Sequence, residues 1–386
     1  MKKYVLPILL LLLTLTLAAC GSQTNPTLEE ANLGKTSQEQ AGPLLLGVVT
    51  CGEPYSDSGR FVERLLAEQD ESDSVQLLHQ VWPDDFLSNP EQTRQTIRDL
   101  LDQDVQGLLI IDAFSGLTEI LAEELDDWEG FLAIGNPGDP LSQAAALADL
   151  VLLLDEETMG SCLAEKAYDL GAETLVYYYN EQDFGEQGTL AAQLQLAQVA
   201  HSCVQNNMSF IPVLLPQEGS SMFIQEDVPQ KVAQYGADTA FFGGSTAAIP
   251  VAESAIGAGA ISPTMGYYSP YGQLPAVLGF EVEDQYYGDY DWLDQQLKDK
   301  LAEFSGEARL AYFPVDFPSD LPLRTALAYG EERLGGDGAS DQADLATLRR
   351  IMEGITNGPC NLRYYENDGV TYENCVLYSM EPQTLR

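Results

Sequence analysis

Residues able to carry out covalent chemistry are few in this chain. It contains two histidines: His79 lies in a predicted strand and His201 in a predicted helix, and both positions are typical of structural histidines. No Gly-x-Ser-x-Gly elbow, phosphate-binding loop, dinucleotide fingerprint or histidine-based metal motif occurs. Cys51 follows the first predicted strand, where a nucleophile could stand, but no base accompanies it, so a thiol lining a cleft is the better interpretation. The sequence therefore predicts a protein that is not an enzyme and needs neither metal nor cofactor.

Polar and aromatic residues follow the predicted strands instead, where open α/β sheets bind ligands. The candidate ligand-binding residues are Tyr55, Asp112, Phe114, Asn136, Asn180, Phe184, Ser245, Thr246, Tyr267 and Tyr268. Aromatic faces can stack on a ligand, and the carboxylate, amide and hydroxyl groups can form hydrogen bonds with it. The set predicts a sugar, a nucleoside or a similar polar small molecule. For each aromatic residue taken alone, packing between lobes is an equally good explanation.

Short apolar strands alternate with amphipathic helices from Leu44 onward. Leu44–Thr50 is a continuous apolar run, typical of a strand buried on both faces, and Asn89-Pro90 marks a helix start. Such alternation predicts parallel sheets with right-handed crossovers. The pattern restarts after Asp155, so the sequence predicts an α/β fold with two doubly wound parallel-sheet lobes joined by a hinge.

Domain limits follow from the same pattern. Lobe one is predicted over 44–155 and lobe two over 156–262; hinge crossings and return strands follow over 263–320, and C-terminal helices and a hairpin over 321–386 complete the lobes. The alternation of strand and helix patterns becomes less regular beyond Gly259. The stretch from there to Pro275 is predicted as linker and loop, and Ala276–Val282 as a strand.

The N-terminus has the segment order of a lipoprotein signal peptide. Lys2 and Lys3 precede the apolar run Val5–Leu17, and Leu17-Ala18-Ala19-Cys20 closes it. The run is too short to span a membrane, which takes ~20 residues. We predict removal of residues 1–19 and a diacylglycerol on Cys20, which would anchor the protein to the outer face of the cell membrane. Residues 20–43 are polar and predict a flexible tether.

The remaining cysteines are odd in number once Cys20 carries lipid, which excludes a full disulfide framework. Cys360 and Cys375 flank a predicted hairpin around Asn367–Gly369. A turn at the first two residues of that range places the two cysteines opposite each other. The stronger Asp-Gly turn instead places Cys375 opposite Leu362 and leaves Cys360 diagonal to it, usually too far for a bridge. The second register disfavours a disulfide, and both stay open.

Charge limits the partners of the protein. The chain has 60 acidic and 18 basic residues and a formal net charge of −42 at pH 7. Such a surface excludes electrostatic binding to nucleic acid or anionic lipid headgroups. A cationic ligand would suit it, but solvated acidic helix faces that keep the protein soluble are the simpler explanation.

Two segments resemble known proteins. The segment VLLLDEETMGSCLAEKAYDLGAETLVYYYN, residues 151–180, has the order of strand, acidic residue, helix, glycine and strand that opens the second lobe of type I periplasmic-binding proteins. Residues 223–281, with EDVP, YGADTAFF and SPYG, resemble uncharacterised bacterial lipoproteins classed as a domain of unknown function with that fold. The similarity runs from about Leu44 to near the C-terminus. It implies a fold and a compartment but no ligand, and the turn Gly243–Thr246 is less polar than in the family.

Three functional hypotheses follow, in order of support. The first is a lipid-anchored solute-binding protein that closes two lobes around a small ligand, such as a sugar or nucleoside, for a membrane transporter. The second is a sensor or interaction protein that signals ligand state to a membrane partner. The third, a surface hydrolase, lacks a catalytic constellation in the sequence.

Overall fold

Continuous apolar runs form most of the strands in the first half of the chain. The computed structural model describes residues 42–52, 58–70, 74–181, 190–244, 247–265, 269–271, 273–303, 308–317, 319–335 and 342–385. Its first elements are β1 (Leu44–Thr50), α1 (Ser58–Glu68), β2 (Val75–Val81), α2 (Pro90–Leu101), β3 (Gly107–Ile110), α3 (Leu117–Glu124), β4 (Phe131–Gly135), α4 (Leu141–Leu147) and β5 (Leu150–Leu154). In β3, Leu108 and Leu109 enter different buried clusters on opposite faces. Burial on both faces explains why this strand is apolar without interruption.

The second half repeats the alternation and then departs from it. It continues with α5 (Glu156–Asp169), β6 (Thr174–Tyr179), α6 (Leu190–Gln205), β7 (Ser209–Leu214), α7 (Ser220–Tyr235), β8 (Thr239–Gly243), α8 (Ala248–Gly257), β9 (Ile261–Met265) and α9 (Gln273–Val277). A short 3-10 helix, Asp284–Tyr286, precedes α10 (Tyr290–Glu303), β10 (Arg309–Tyr312), α11 (Asp320–Leu334), α12 (Leu345–Thr356), β11 (Cys360–Asn367), β12 (Val370–Met380) and β13 (Gln383–Leu385).

Two parallel-dominated sheets organise these elements, as predicted. The first has the strand order β11-β12-β5-β4-β3-β1-β2 and the second the order β13-β10-β9-β8-β6-β7. Hairpin strand β12 pairs with β5 in parallel, whereas β11 and β13 are antiparallel to their neighbours. We call the first sheet and its helices lobe one, and the second sheet and its helices lobe two.

The chain passes between the lobes three times within the described residues. It crosses at Asp155 between β5 and α5, over residues 313–317 and 319 between β10 and α11, and at Glu381-Pro382 between β12 and β13. Helix α11 belongs to lobe one, because it packs on β3 and β4. Each crossing begins at the carboxyl end of a strand that is parallel to its neighbour in the sheet, namely β5, β10 or β12. The carboxyl edges of both sheets therefore meet at the crossings.

Two predictions for the segment after Gly259 are wrong. Ile261–Met265 is strand β9 of the second sheet rather than linker, and Ala276–Val282 spans the end of α9 and a following loop rather than a strand. Proline lacks the N–H that a strand ladder needs. Pro263 is tolerated because the pairing of β9 with β10 changes register beside it, between Leu310 and Tyr312. The sequence pattern also missed α4 and β13.

The C-terminal hairpin resolves the two registers left open by the sequence. Asp368 and Gly369 form the turn, with φ of 51° and 78°, so the Asp-Gly signal was the correct one. A register shift between Tyr364 and Tyr365 then moves Cys375 out of line with Leu362, which pairs with Tyr378 instead. Cys360 pairs with Met380, and the five cysteines in the described part of the chain are buried free thiols.

The predictions for the signal peptide, Cys20 and most of the tether concern residues 1–41, which lie outside the described residues. Among the residues described, no helix combines the length and the apolar character needed to cross a membrane.

An ion pair holds the first crossing. Asp155 caps α5 through Thr158, and Arg363 of β11 donates to both of its carboxylate oxygens, at 2.6 and 3.1 Å. Asp155 is only 5% exposed. Burial raises its pKa, but the hydrogen bonds from Arg363 and Thr158 outweigh burial and lower the pKa below its ordinary value. The C-terminal hairpin thus fixes the residue at which the chain leaves lobe one.

We expect Arg363→Met to lower the free energy of unfolding at neutral pH by about 1–2 kcal/mol, because it leaves Asp155 buried without its partner while solvent already screens the arginine. The pKa of Asp155 is depressed in the folded state, so its ionised form stabilises the protein above the unfolded pKa of about 4, and this contribution is lost as pH falls through the folded pKa. The difference in free energy of unfolding between variant and wild type, measured in urea, should therefore shrink below about pH 4.

Arg350→Met, which breaks a surface pair with Glu332, is the control and should change stability by less than about 0.5 kcal/mol. An equal loss in both variants would contradict this assignment.

Candidate functional site

Two polar residues in left-handed backbone conformation stand at the carboxyl edge of the first sheet. Asp112 lies just beyond β3 and Asn136 just beyond the adjacent β4, with φ of 61° and 47°. The backbone N–H of Asn136 donates to Leu152 O at 3.0 Å, which ties this turn to β5. Residues other than glycine at positive φ are uncommon and cluster at functional sites. The structure therefore brings together two of the residues predicted for ligand binding.

A small hydrogen-bond network orients the Asp112 carboxylate. Ser58 Oγ, at the start of α1, donates to Asp112 Oδ2 at 2.8 Å. Asn136 Nδ2 donates to Oδ1 at 3.5 Å. Asp112 and Asn136 are half-buried, and Ser58 is buried. The group can accept hydrogen bonds from hydroxyl or ammonium groups placed over this edge.

Cys51 lies beside this network but is poorly suited to be a nucleophile. It is 5% exposed, and its Sγ lies 3.6 Å from the backbone oxygen of Asp112. Burial, together with the negative charge of Asp112, raises the pKa of the thiol to about 12. A thiol with that pKa is protonated at neutral pH, whereas thiol catalysis requires the thiolate.

Phe114 packs within lobe one. Its ring lies edge-on to Trp82, with centroids 5.6 Å apart, and 4.8 Å from the ring of Phe86. The ring is half-buried. These contacts fix the turn after β3 by aromatic packing.

Asn180 follows β6 at the carboxyl edge of the second sheet and is half-buried. The other predicted site residues lie outside the described residues. These are Tyr55, Phe184, Ser245, Thr246, Tyr267 and Tyr268.

The second crossing buries an acidic residue that the sequence pattern did not single out. Asp316 is 2% exposed; the Ser319 N–H donates to its Oδ1 at 2.8 Å, and Ser269 forms a side-chain hydrogen bond with it. Burial raises the pKa of Asp316 to about 7. Tyr378, whose hydroxyl donates to Phe317 O at 2.8 Å, has its pKa raised by burial and by the charges of Asp316 and Asp112. The crossing thus adjoins the edge that carries Asp112.

A second buried carboxylate begins α11. Asp320 is fully buried, and Arg324 Nε lies 2.9 and 2.8 Å from its two oxygens. The hydroxyl of Tyr290, at the start of α10, also donates to Asp320 and lies 3.3 Å from the backbone nitrogen of Asp316. These bonds join the start of α11, in lobe one, to α10, which lies in the chain between β9 and β10 of the second sheet.

The segment around the 3-10 helix reaches back to α1 of lobe one. Arg64 donates to Gln285 O at 3.1 Å, and the Arg60 guanidinium lies 4.8 Å from the ring centroid of Tyr287. Tyr287 stacks on Tyr271, with centroids 4.6 Å apart. A cavity of about 640 Å³ lies between this segment and α1 and reaches Cys51 and Gly52 beyond β1.

The residues missed by sequence reasoning are those of the crossings. Asp316 and Ser319 precede α11 in the run DFPSD, which resembles an ordinary helix start. Ser58, which is not a crossing residue, could have been suspected because it opens α1, the first helix after β1. Nothing in the spacing of Arg363 reveals its pairing with Asp155, 208 residues away in the chain.

The two lobes, their strand order and the triple crossing define a type I periplasmic-binding-protein fold. A protein from Clostridium difficile 630, described as a candidate transcriptional regulator, superimposes with a TM-score of 0.79 at 20% sequence identity, covering 89% of this chain and 99% of its own. A sugar ABC transport substrate-binding protein from Bordetella parapertussis 12822 has a TM-score of 0.42 at 11% identity over 89% of this chain and 88% of its own. A periplasmic solute-binding protein from Actinobacillus succinogenes 130z, with bound D-allose, has a TM-score of 0.42 at 9% identity over 78% and 94%.

Residues 46–311 match the family described as "Protein of unknown function (DUF3798)", and the chain belongs to that family. The predicted resemblance to a family of unknown function with a periplasmic-binding fold is confirmed. No curated protein matches the chain significantly.

The free thiols provide a direct check of the site and the hairpin. We expect the cysteines from Cys51 to Cys375 to react slowly with Ellman's reagent in the folded protein, because all five are buried. When Cys20 carries lipid, unfolding in guanidinium without reductant should then release five thiols per chain, out of the six cysteines of the sequence. A rapidly reacting Cys51 would contradict its raised pKa, and three thiols would reveal a disulfide.

Proposed function

We propose that this chain is a lipid-anchored, extracytoplasmic solute-binding protein that closes its two lobes around a small polar ligand, such as a sugar or nucleoside, for a membrane transporter. One observation carries the proposal: the carboxyl edges of both sheets meet at three short crossings, and the edge of lobe one presents the oriented pair Asp112 and Asn136. Ligands of open α/β sheets bind at such edges.

Short crossings suit hinge motion, because a few residues at the ends of elements can absorb the change in φ and ψ. Hydrogen bonds to buried carboxylates hold two of the crossings: Arg363 donates to Asp155 at the first, and the backbone N–H of Ser319 donates to Asp316 at the second. Lobes connected in this way can rotate while each sheet keeps its own pairing. A ligand bound to both edges would stabilise the closed arrangement by its extra contacts there.

Ligand recognition is proposed to combine groups from both lobes. Asp112 and Asn136 would bind hydroxyl or amine groups from lobe one, and Asn180 would face them from lobe two. Tyr55, Phe114, Phe184, Ser245, Thr246, Tyr267 and Tyr268 are proposed to complete the site. A few polar groups among aromatic faces fix the orientation of a small polar ligand.

Neither hydrolysis nor nucleic-acid binding is proposed. Cys51 is held protonated by burial and lies beside a carboxylate, the opposite of an activated nucleophile. The net charge of −42 opposes binding to phosphate backbones. A sensor that reports ligand state to a membrane partner is the alternative role, and it uses the same ligand site.

A thermal-shift screen with sugars, nucleosides, amines, amino acids and short peptides tests the binding role. A ligand at 100 times its Kd should stabilise the folded protein by about 2.7 kcal/mol, measured as a rise in Tm. Asp112→Ala should abolish that rise. The control Asp99→Asn removes an exposed charge from α2, whose C-terminal end leads to the opposite edge of the sheet, and this variant should keep the rise in Tm. No stabilisation by any compound class would refute the proposal.

Membrane attachment is tested at Cys20. Cys20→Ser removes the only thiol that the signal-peptide boundary offers for lipid, so we expect the variant to lose labelling by radioactive fatty acid and to leave the membrane fraction. Cys162→Ser, which changes a buried cysteine, is the matched control and should remain labelled. Equal labelling of both variants would show that Cys20 is not the anchor.

A further inference from the structure

Parallel strands of both sheets are followed by loops at the carboxyl edges, and all the charged side chains among the described residues of these loops are acidic. Among the described residues between each strand end and the next element, none is Lys, Arg or His. The acidic residues there include Asp84, Asp85, Asp112, Asp139, Glu181 and Asp316. This placement differs from that of solvated helix faces, because parallel strands bring these loops to the two edges that meet at the crossings.

The arginines that contact elements at these edges are already paired with carboxylates of the chain. Arg60 lies 3.6 Å from Asp284, and Arg64 lies 3.6 Å from Asp289. At the crossings, Arg324 binds Asp320 and Arg363 binds Asp155. An anionic ligand would have to compete with these pairs for its counter-charge.

We propose, building on the solute-binding function above, that the ligand is an organic cation with one or more ammonium groups, and that Asp112 binds its charge. Ser58 and Asn136 hold the Asp112 carboxylate from two sides, at 2.8 and 3.5 Å, so its orientation is fixed before the ligand arrives. Charge-assisted hydrogen bonds to a carboxylate are shorter and stronger than neutral ones. The fold provides the cleft between the lobes. The charges that line the cleft determine whether it binds cationic, neutral or anionic ligands.

The site would select for cationic ligands by attraction and against anionic ligands by repulsion. Closing the lobes reduces the water around Asp112, so its attraction to an ammonium group strengthens and its repulsion of a carboxylate or phosphate strengthens equally. The excess of acidic over basic residues extends this preference into solution, where it raises the local concentration of cations and their association rate. A neutral polyol gains neither effect.

Two matched sets of small molecules test this selection by isothermal titration. The first is putrescine, butanediol and succinate; the second is glucosamine, glucose and glucuronate. Every compound that stabilises the protein in a thermal-shift screen joins the titration. Within a set, the amine should bind about tenfold tighter or more than the neutral member, and the acid should not bind. Asp112→Asn should remove this preference, whereas Asp99→Asn should keep it. Added NaCl should weaken amine binding.

The outcomes separate this inference from the function on which it rests. If the compounds that bind are neutral or anionic, or if Asp112→Asn leaves the amine preference unchanged, the cationic ligand is refuted and solute binding stands. If nothing binds in either the titration or the screen, the solute-binding function fails and this inference fails with it. Wild-type titrations decide the charge class even if Asp112→Asn does not fold.

Discussion

The parallel pairing of β12 with β5 determines how the two lobes are connected. Residues near the C-terminus complete the sheet that residues near Leu44 begin, so lobe one cannot close until the chain has built lobe two and returned. The chain must then cross between the lobes more than once. Because the crossings leave the carboxyl ends of parallel strands, the two edges able to bind a ligand lie beside the residues able to act as a hinge. Fold, hinge and candidate site thus follow from one strand pairing.

Buried charge concentrates where the chain crosses. Asp155, Asp316 and Asp320 are each at most 5% exposed, and each is bound by hydrogen-bond donors or an arginine from another element or from the adjacent turn. A buried carboxylate without such partners would be strongly destabilising. Burial of apolar surface is non-directional, whereas hydrogen bonds to these carboxylates require particular distances and angles. We infer that they specify the geometry of the hinge more than they add stability.

Local pattern predicted much of the fold, since strands such as Leu44–Thr50 and Leu150–Leu154 are continuous apolar runs in sheets buried on both faces. Local pattern gave the wrong structure for β9, which contains Pro263. This segment forms a strand because a register shift in its pairing with β10 accommodates the proline. Asp112 and Asn136 could be placed together because they follow neighbouring strands. Arg363, which binds Asp155, and Ser269, which binds Asp316, come from distant segments of the chain, and local sequence carries no signal for such contacts.

Lobe closure is the central claim, and a distance between the lobes measures it directly. Spin labels on cysteines introduced at exposed Gln95 of α2 and Gln234 of α7 would report each lobe, because the native cysteines are buried. Pulsed electron paramagnetic resonance should show a shorter and narrower distance distribution when a compound that raises Tm is added. Binding of such a compound at Asp112 with no change in that distribution would contradict the hinge account.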